Sequence, residues 1–311
     1  MKKLTARAFQ QAKAFLVDQG RTLEQSLFGV YFGEKPQTAV LTALAAYQND
    51  DGGFGRALEP DLRASASSAV ATQQAFIALR AIGATSHEPP VPSAVNYLLH
   101  TYDSKRSVWP IISPEIEQAP HAPWWNYADA AQNFGNFLAN PRAALVGYLH
   151  DHRELVPPEF LAQVTDAVVT ALEASPEKME MHDLQCYVSL AETASLPQAM
   201  KSRIQEKLLS IVPASLEFDP EKWTGYGLPP LGVVKAPDHF LAAIIPPQTL
   251  AANLDFLVDQ QQSDGAWAPA WNWAFIDEAA WQAAEREWKS QITLNNLKLL
   301  HAFGRIESAL A

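Results

Sequence analysis

The sequence predicts an all-α protein built from helical repeats, and three observations carry that prediction. Apolar residues recur at helical rather than alternating spacing, as in Leu4, Phe9, Ala12 and Leu16. Proline and asparagine fall where helices begin, and glycine where they end. A turn motif occurs twice, each time closing a helix: Gln48-x-x-Asp51-Gly52-Gly53-Phe54 and Gln261-x-x-Asp264-Gly265-Ala266-Trp267. A weaker echo, DSKRSVWP, spans Asp103 to Pro110. Degenerate copies of one helix-plus-turn unit are the signature of repeat architectures.

Taken in order, MKKLTARAFQQAKAF starts basic but lacks the continuous apolar stretch of a signal peptide, so a helix is expected there. Pro36 is placed to open a helix through Tyr47, and Pro92 one through Tyr102. Asn140 and Pro141 read as cap and first turn of NPRAALVGYLHDH. PPEFLAQVTDAVVTALEAS, MHDLQCYVSLAE, LPQAMKSRIQEKLLSIV and PQTLAANLDFLVDQQ continue the series, with Gly20, Gly83 and Gly304 at expected left-handed caps. Between Pro213 and Pro247 lies a proline-rich stretch of poor periodicity, containing KWTGYGLPPLGVV. A connection that long usually serves function. Helices of one type stand on both sides of it, so a single domain over 1–311 with an elaborated loop is expected.

The 311 residues are 48% hydrophobic, enough for a large core, and carry a formal net charge of −11. That balance argues against a nucleic-acid partner and against docking on anionic membranes. No run approaches the length of a membrane span, so integral insertion is not expected. Cys186 is the single cysteine, which rules out an internal disulfide and points to a reducing, cytoplasmic setting. A small-molecule substrate or ligand is the expected partner. The oligomeric state is left open.

The repeated turn has a local physical reading. Its glutamine can bond orphan carbonyls at the end of its helix, its aspartate can fold back on the backbone, and its glycine supplies positive φ. None of this requires catalysis. The two copies also resemble the QW-type motif of the terpenoid cyclase and protein prenyltransferase superfamily, which includes squalene–hopene cyclases. The resemblance implies an α/α toroid, with inner helices around a central cavity and outer helices surrounding them. It implies an isoprenoid or similar apolar substrate. The DxDD acid motif and the DDxxD metal motif of that superfamily are both absent. Its zinc site is matched only loosely by Asp183 and Cys186, to which His182 and His301 can be added. A lone cysteine on an apolar helix is more often core packing, so no metal or other cofactor is expected.

In such a toroid the segment after each turn leads to the mouth of the cavity. Glu59, Asp61 and Arg63 lie in the first such segment. One reading makes Asp61 or Ser65 a helix cap and Glu59–Arg63 a surface ion pair. The other makes Glu59 and Asp61 an acid/base pair, with Arg63 orienting an anionic group. His182 and Asp183 are either a cap or a second acid/base pair. All nine tryptophans fall between Trp109 and Trp288. Trp267 and Phe54 are expected to brace repeats. Trp124, Trp125, Asn126, Tyr226, Trp271 and Trp273 are candidates for an aromatic pocket wall, suited to carbocations or sugar rings. Asp277, Glu278, Glu285 and Glu287 read as a solvated helix face. Three functions stay open: a terpenoid cyclase-like or prenyltransferase-like enzyme, a carboxylate-dependent carbohydrate-active enzyme, and a ligand-binding or scaffold toroid without chemistry.

Overall fold

Helix starts follow their caps. Thr5 accepts from Ala8 N–H to open α1 (Ala6–Gln19), and α2 (Thr22–Tyr31) and α3 (Thr38–Ala45) follow. Ser68 accepts from Ala71 N–H to open α4 (Ala69–Ala81), and Pro90 is the first residue of α5 (Pro90–Thr101). The computed structural model, which describes residues 1–33 and 35–307, continues with α6 (Tyr127–Asn133), α7 (Arg142–Asp151), α8 (Pro158–Glu173) and α9 (Met181–Ala191). It ends with α10 (Gln198–Ser215), α11 (Pro247–Asp259) and α12 (Glu278–Ala302). Among the described residues there are isolated bridges but no named strand. The protein is all-α.

Several boundaries differ from expectation. Pro36 precedes its helix by two positions, Pro92 sits inside α5, and Pro141 precedes Arg142 as a flanking residue. Gly83 and Gly304 adopt positive φ, but Gly20 is extended at φ −69°, so α1 ends without a left-handed cap. α10 runs through Pro213 to Ser215, because proline removes only one hydrogen bond near a helix end. The remainder of the stretch to Pro247 is irregular chain with short 3₁₀ turns at Pro220–Lys222, Pro230–Gly232 and Phe240–Ile244.

The repeated turns are near-superposable in their bonding. Asp51 Oδ1 accepts from Gly53 N–H at 2.9 Å and Asp264 Oδ1 from Ala266 N–H at 3.0 Å. Gly52 and Gly265 have φ of 87° and 88°. Phe54 N–H donates to Thr72 Oγ1 and Trp267 N–H to Thr293 Oγ1, both at 3.1 Å, tying each turn to the helix that follows it. The glutamines do not cap their own helices. Gln48 reaches forward to Pro90 O at the start of α5, and Gln261 reaches Ala8 O in α1. The echo repeats the aromatic brace: Trp109 Nε1 donates to Leu98 O at 2.7 Å, as Trp267 Nε1 does to Leu257 O at 2.8 Å.

Packing follows chain order. α2 lies on α3, α3 on α4, α4 on α7, and α7 on α8 and α9, while α12 returns to pack on both α1 and α2. Leu4 pairs with Ile306, joining the two ends. An apolar core runs from α3 through α10, and a second one joins α1, α2, α11 and α12. A third, rich in aromatics, gathers the segments after the turns: Leu62, Ile111, Trp125, Phe137, Trp273 and Trp281. The candidate site lies at the edge of this third core.

Candidate functional site

The segment after the first turn is held in an unusual shape. Arg56 and Ala57 both have positive φ, a conformation that costs a non-glycine residue on the order of 1 kcal/mol or more. Arg21, buried in a pair with Glu24 at 2.6 and 2.7 Å, donates to the Leu58 carbonyl at 3.1 Å and steadies it. Ala122 N–H donates to Asp61 O, and Arg63 N–H to Pro120 O. The result is to bury Glu59 and Asp61 to 4% and 2% exposure. Neither Asp61 nor Ser65 caps α4, since Ser68 does so.

The two carboxyls have different surroundings. Asp61 Oδ1 accepts from Trp273 Nε1 at 2.7 Å and Oδ2 from Trp271 Nε1 at 3.1 Å. Trp288 Nε1 also favours the charge on this carboxylate, without a hydrogen bond of its own. Burial raises the Asp61 pKa, and the indoles and Arg63 oppose that rise. Glu59 has weaker support, a 3.4 Å contact from Gln74 Nε2 and a backbone N–H at Asp61. Burial first, then the Asp61 charge, push Glu59 up to about 8. Indole donors stabilise an anion on Asp61 and Glu59 lacks them, so the proton that the pair holds at neutral pH belongs to Glu59.

Arg63 does not face an open anion site. Both its terminal nitrogens bond Glu287, and that carboxylate is part of a half-buried ion pair rather than a solvated face. On the same helix, Gln291 Nε2 donates to Gln74 Oε1 at 3.2 Å, extending the polar chain from Glu59. Gln291 Oε1 is buried without a donor.

Around the other side, Tyr226 meets Trp271 edge to face, with ring centroids 6.3 Å apart. Its hydroxyl lies 3.3 Å from His182 Nε2, and His182 Nδ1 lies 2.9 Å from Glu180 Oε1. Since Glu180 only accepts, the Nδ1 of His182 carries a hydrogen. Glu180, not Asp183, caps α9. Asp183 instead accepts from Asn140 N–H, and burial followed by the Glu180 charge raises it to about 6. Tyr226 is 65% exposed as a residue, yet its hydroxyl end is pushed up to about 12 by burial and then by Glu180, Asp61 and Glu59.

Glu59, Asp61, Trp271, Trp273, Tyr226, His182 and Asp183 therefore belong to one connected cluster. Trp124, Trp125 and Asn126 belong to its margin. Trp125 stacks on Phe134 at 4.7 Å inside the aromatic core, Trp124 packs against that core, and exposed Asn126 contacts His121. Sequence reasoning passed over Gln74, Glu180, Trp288 and Gln291, and read Glu287 as part of a solvated helix face. The adjacent Gln73 and Gln74 on an alanine-rich helix were the one readable signal among them. Cys186 is buried, its thiol pushed up to about 12 by that burial and then by the Asp183 charge, and His301 stands apart beside Tyr31. Among the described residues no three His, Cys, Asp or Glu side chains are grouped to hold a metal, and no helix is long and apolar enough to cross a membrane.

Neither a protein-family model nor a curated protein matches the chain.

Proposed function

We propose that the protein is a carboxyl-dependent acid–base enzyme acting on an oxygen atom of a ring-bearing substrate, for which a carbohydrate is the best-fitting class. One observation carries this reading: Glu59 and Asp61 are buried side by side, and two indoles donate to Asp61 while none donates to Glu59, whose carboxyl burial and the Asp61 charge push upward. Two carboxyls pushed toward opposite protonation states are the arrangement that assigns acid and base roles. Glu59 gives its proton to a leaving oxygen. Asp61 stabilises the positive charge that develops, and water adds to complete a hydrolysis, returning a proton to the pair. The rings of Trp271 and Tyr226 offer a stacking surface.

The same acidity weighs against the chemistry implied by the superfamily resemblance. A carboxyl titrating near 8 is a weak donor toward a bare alkene, and Arg63, spent on Glu287, is not free for a diphosphate. The order of helix contacts and the return of α12 to α1 and α2 agree with a toroid.

The test is hydrolysis of unactivated disaccharides and oligosaccharides, with isoprenoid alcohols and polyenes as the contrasting arm. Glu59→Gln should lower turnover by about 10³-fold, within the range for a general acid. The loss should shrink for substrates whose leaving group departs without protonation. Turnover of polyenes alone, or sugar hydrolysis left unchanged by Glu59→Gln and by Asp61→Asn, would sink the reading. One observation favours a protein that binds without turnover: the crevice beside Glu59, lined by Ala57, Leu62, Ala64 and Ile116, is too narrow to hold water. Ligand binding that persists with no conversion across both arms is the outcome that selects it.

A further inference from the structure

The charges and rings of this cluster define what it can hold. Trp271 meets Trp288 at 5.1 Å and 82° and Tyr226 at 6.3 Å and 87°, so three rings converge at one half-buried indole. Trp271 and Trp273 each donate their N–H to Asp61. An indole polarised in this way carries more negative charge on its π face, which strengthens attraction for a cation. The acids within the cluster are Glu59, Asp61, Glu180, Asp183 and Glu287. Against them stand Arg63, paired with Glu287, and His182, bonded to Glu180 and Tyr226. No unpaired basic group in the cluster is left to meet a phosphate.

An inorganic divalent ion is also poorly served. The Asp61 oxygens are occupied by indoles, and no three-ligand group is present among the described residues. The amide of Gln291, oriented by its bond to Gln74, leaves Oε1 buried and without a donor one helical turn beyond Trp288. A bare acceptor, aromatic faces and excess negative charge share one kind of complement.

We infer that the cluster binds an organic ammonium group, held against the Trp271 and Tyr226 rings and facing the Asp61 and Glu180 carboxylates. The inference rests on the reading of this cluster as a ligand site, but not on the proton-transfer role of Glu59. In a substrate, the ammonium would be an amino substituent on the ring-bearing molecule.

The test uses choline against its uncharged isostere 3,3-dimethylbutan-1-ol, with inorganic pyrophosphate as the anionic probe, read by calorimetry and tryptophan fluorescence. Choline should bind about tenfold more tightly than the isostere, as a partly desolvated cation–π contact allows. Tyr226→Ala, at a largely exposed position that tolerates truncation, should weaken choline about fivefold and the isostere less, narrowing the gap between them. Glu180→Gln should weaken choline and reduce its salt dependence. Equal binding of choline and isostere, no saturable binding of choline, or tighter binding of pyrophosphate would each overturn the inference. Choline binding without sugar hydrolysis would retain the inference and remove the acid–base reading. Hydrolysis that depends on Glu59 without choline binding would do the reverse.

Discussion

The two copies of the turn are alike through their aromatic residue and unlike immediately afterwards. Up to Phe54 and Trp267 they share the aspartate bond, the positive-φ glycine and the threonine bond to the next helix. Beyond that point the first copy supplies two carboxyls, Glu59 and Asp61, and the second supplies two indoles, Trp271 and Trp273. Asp61 then meets both indoles, across 210 and 212 positions of sequence. The turn is repeated because it solves a folding problem, reversing the chain at a helix end. The segment after it is free to differ, and the chemistry sits there. The energetic contrast matches. The turns have their polar groups satisfied, whereas the first segment carries two buried carboxyls and two positive-φ residues, Arg56 and Ala57.

The largest expected effect breaks the shared half. A Cβ at Gly52 would stand 2.3 Å from Ser93 O, and one at Gly265 would stand 2.4 Å from the Gln11 carbonyl carbon. Both clashes are with backbone, and both positions have positive φ. Gly52→Ala and Gly265→Ala should each cost about 3 kcal/mol, combining the left-handed penalty with the displaced neighbour. Denaturant titration checks this. Near-equal losses confirm that the copies are physically one element, and a tolerated alanine in either shows that they are not.

The shared half was legible in the sequence because its causes are local. Glycine, aspartate and the aromatic act within a few residues, and the helical periods come from the chain itself. The divergent half was legible only as residue types. Glu59, Asp61, Trp271, Trp273 and Tyr226 were recognisable as candidates, but nothing local says that an indole near the C-terminus clasps a carboxylate near the N-terminus. Arg63 looked free for a substrate and Glu287 looked solvated, because a pair separated by 224 positions has no sequence signature. Glu180 caps α9 because it directly precedes the first turn, whereas Asp183 lies within that turn and its own N–H is one of those capped.

A smaller effect sharpens the divergent half. Glu59 titrates higher folded than unfolded, so its favourable contribution is complete below the ordinary carboxylate range and is lost as pH rises through about 8. Glu59→Gln never ionises and escapes that loss. Relative to the parent, the variant should gain stability steadily between about pH 4.5 and about pH 8 and change little beyond. Thermal melts across this window check it. A constant difference between the two proteins would mean that Glu59 ionises normally and is not the buried acid described above.

The smallest effect tests the meeting point itself. Trp271 is half-buried and gives one of the two indole bonds to Asp61. Trp271→Phe keeps the apolar ring and removes the N–H, which should cost about 1 kcal/mol where Asp61 is ionised. The indole bond opposes the upward shift of Asp61, so its loss raises that pKa further. The cost is therefore present at high pH and disappears as pH falls through the Asp61 titration. In an Asp61→Asn background the carboxylate is gone, and Trp271→Phe should lose most of its effect at every pH. A double-mutant cycle isolates the coupling between the two segments. Equal costs in both backgrounds would show that Trp271 contributes packing alone, and that the two repeats touch at this point without acting together.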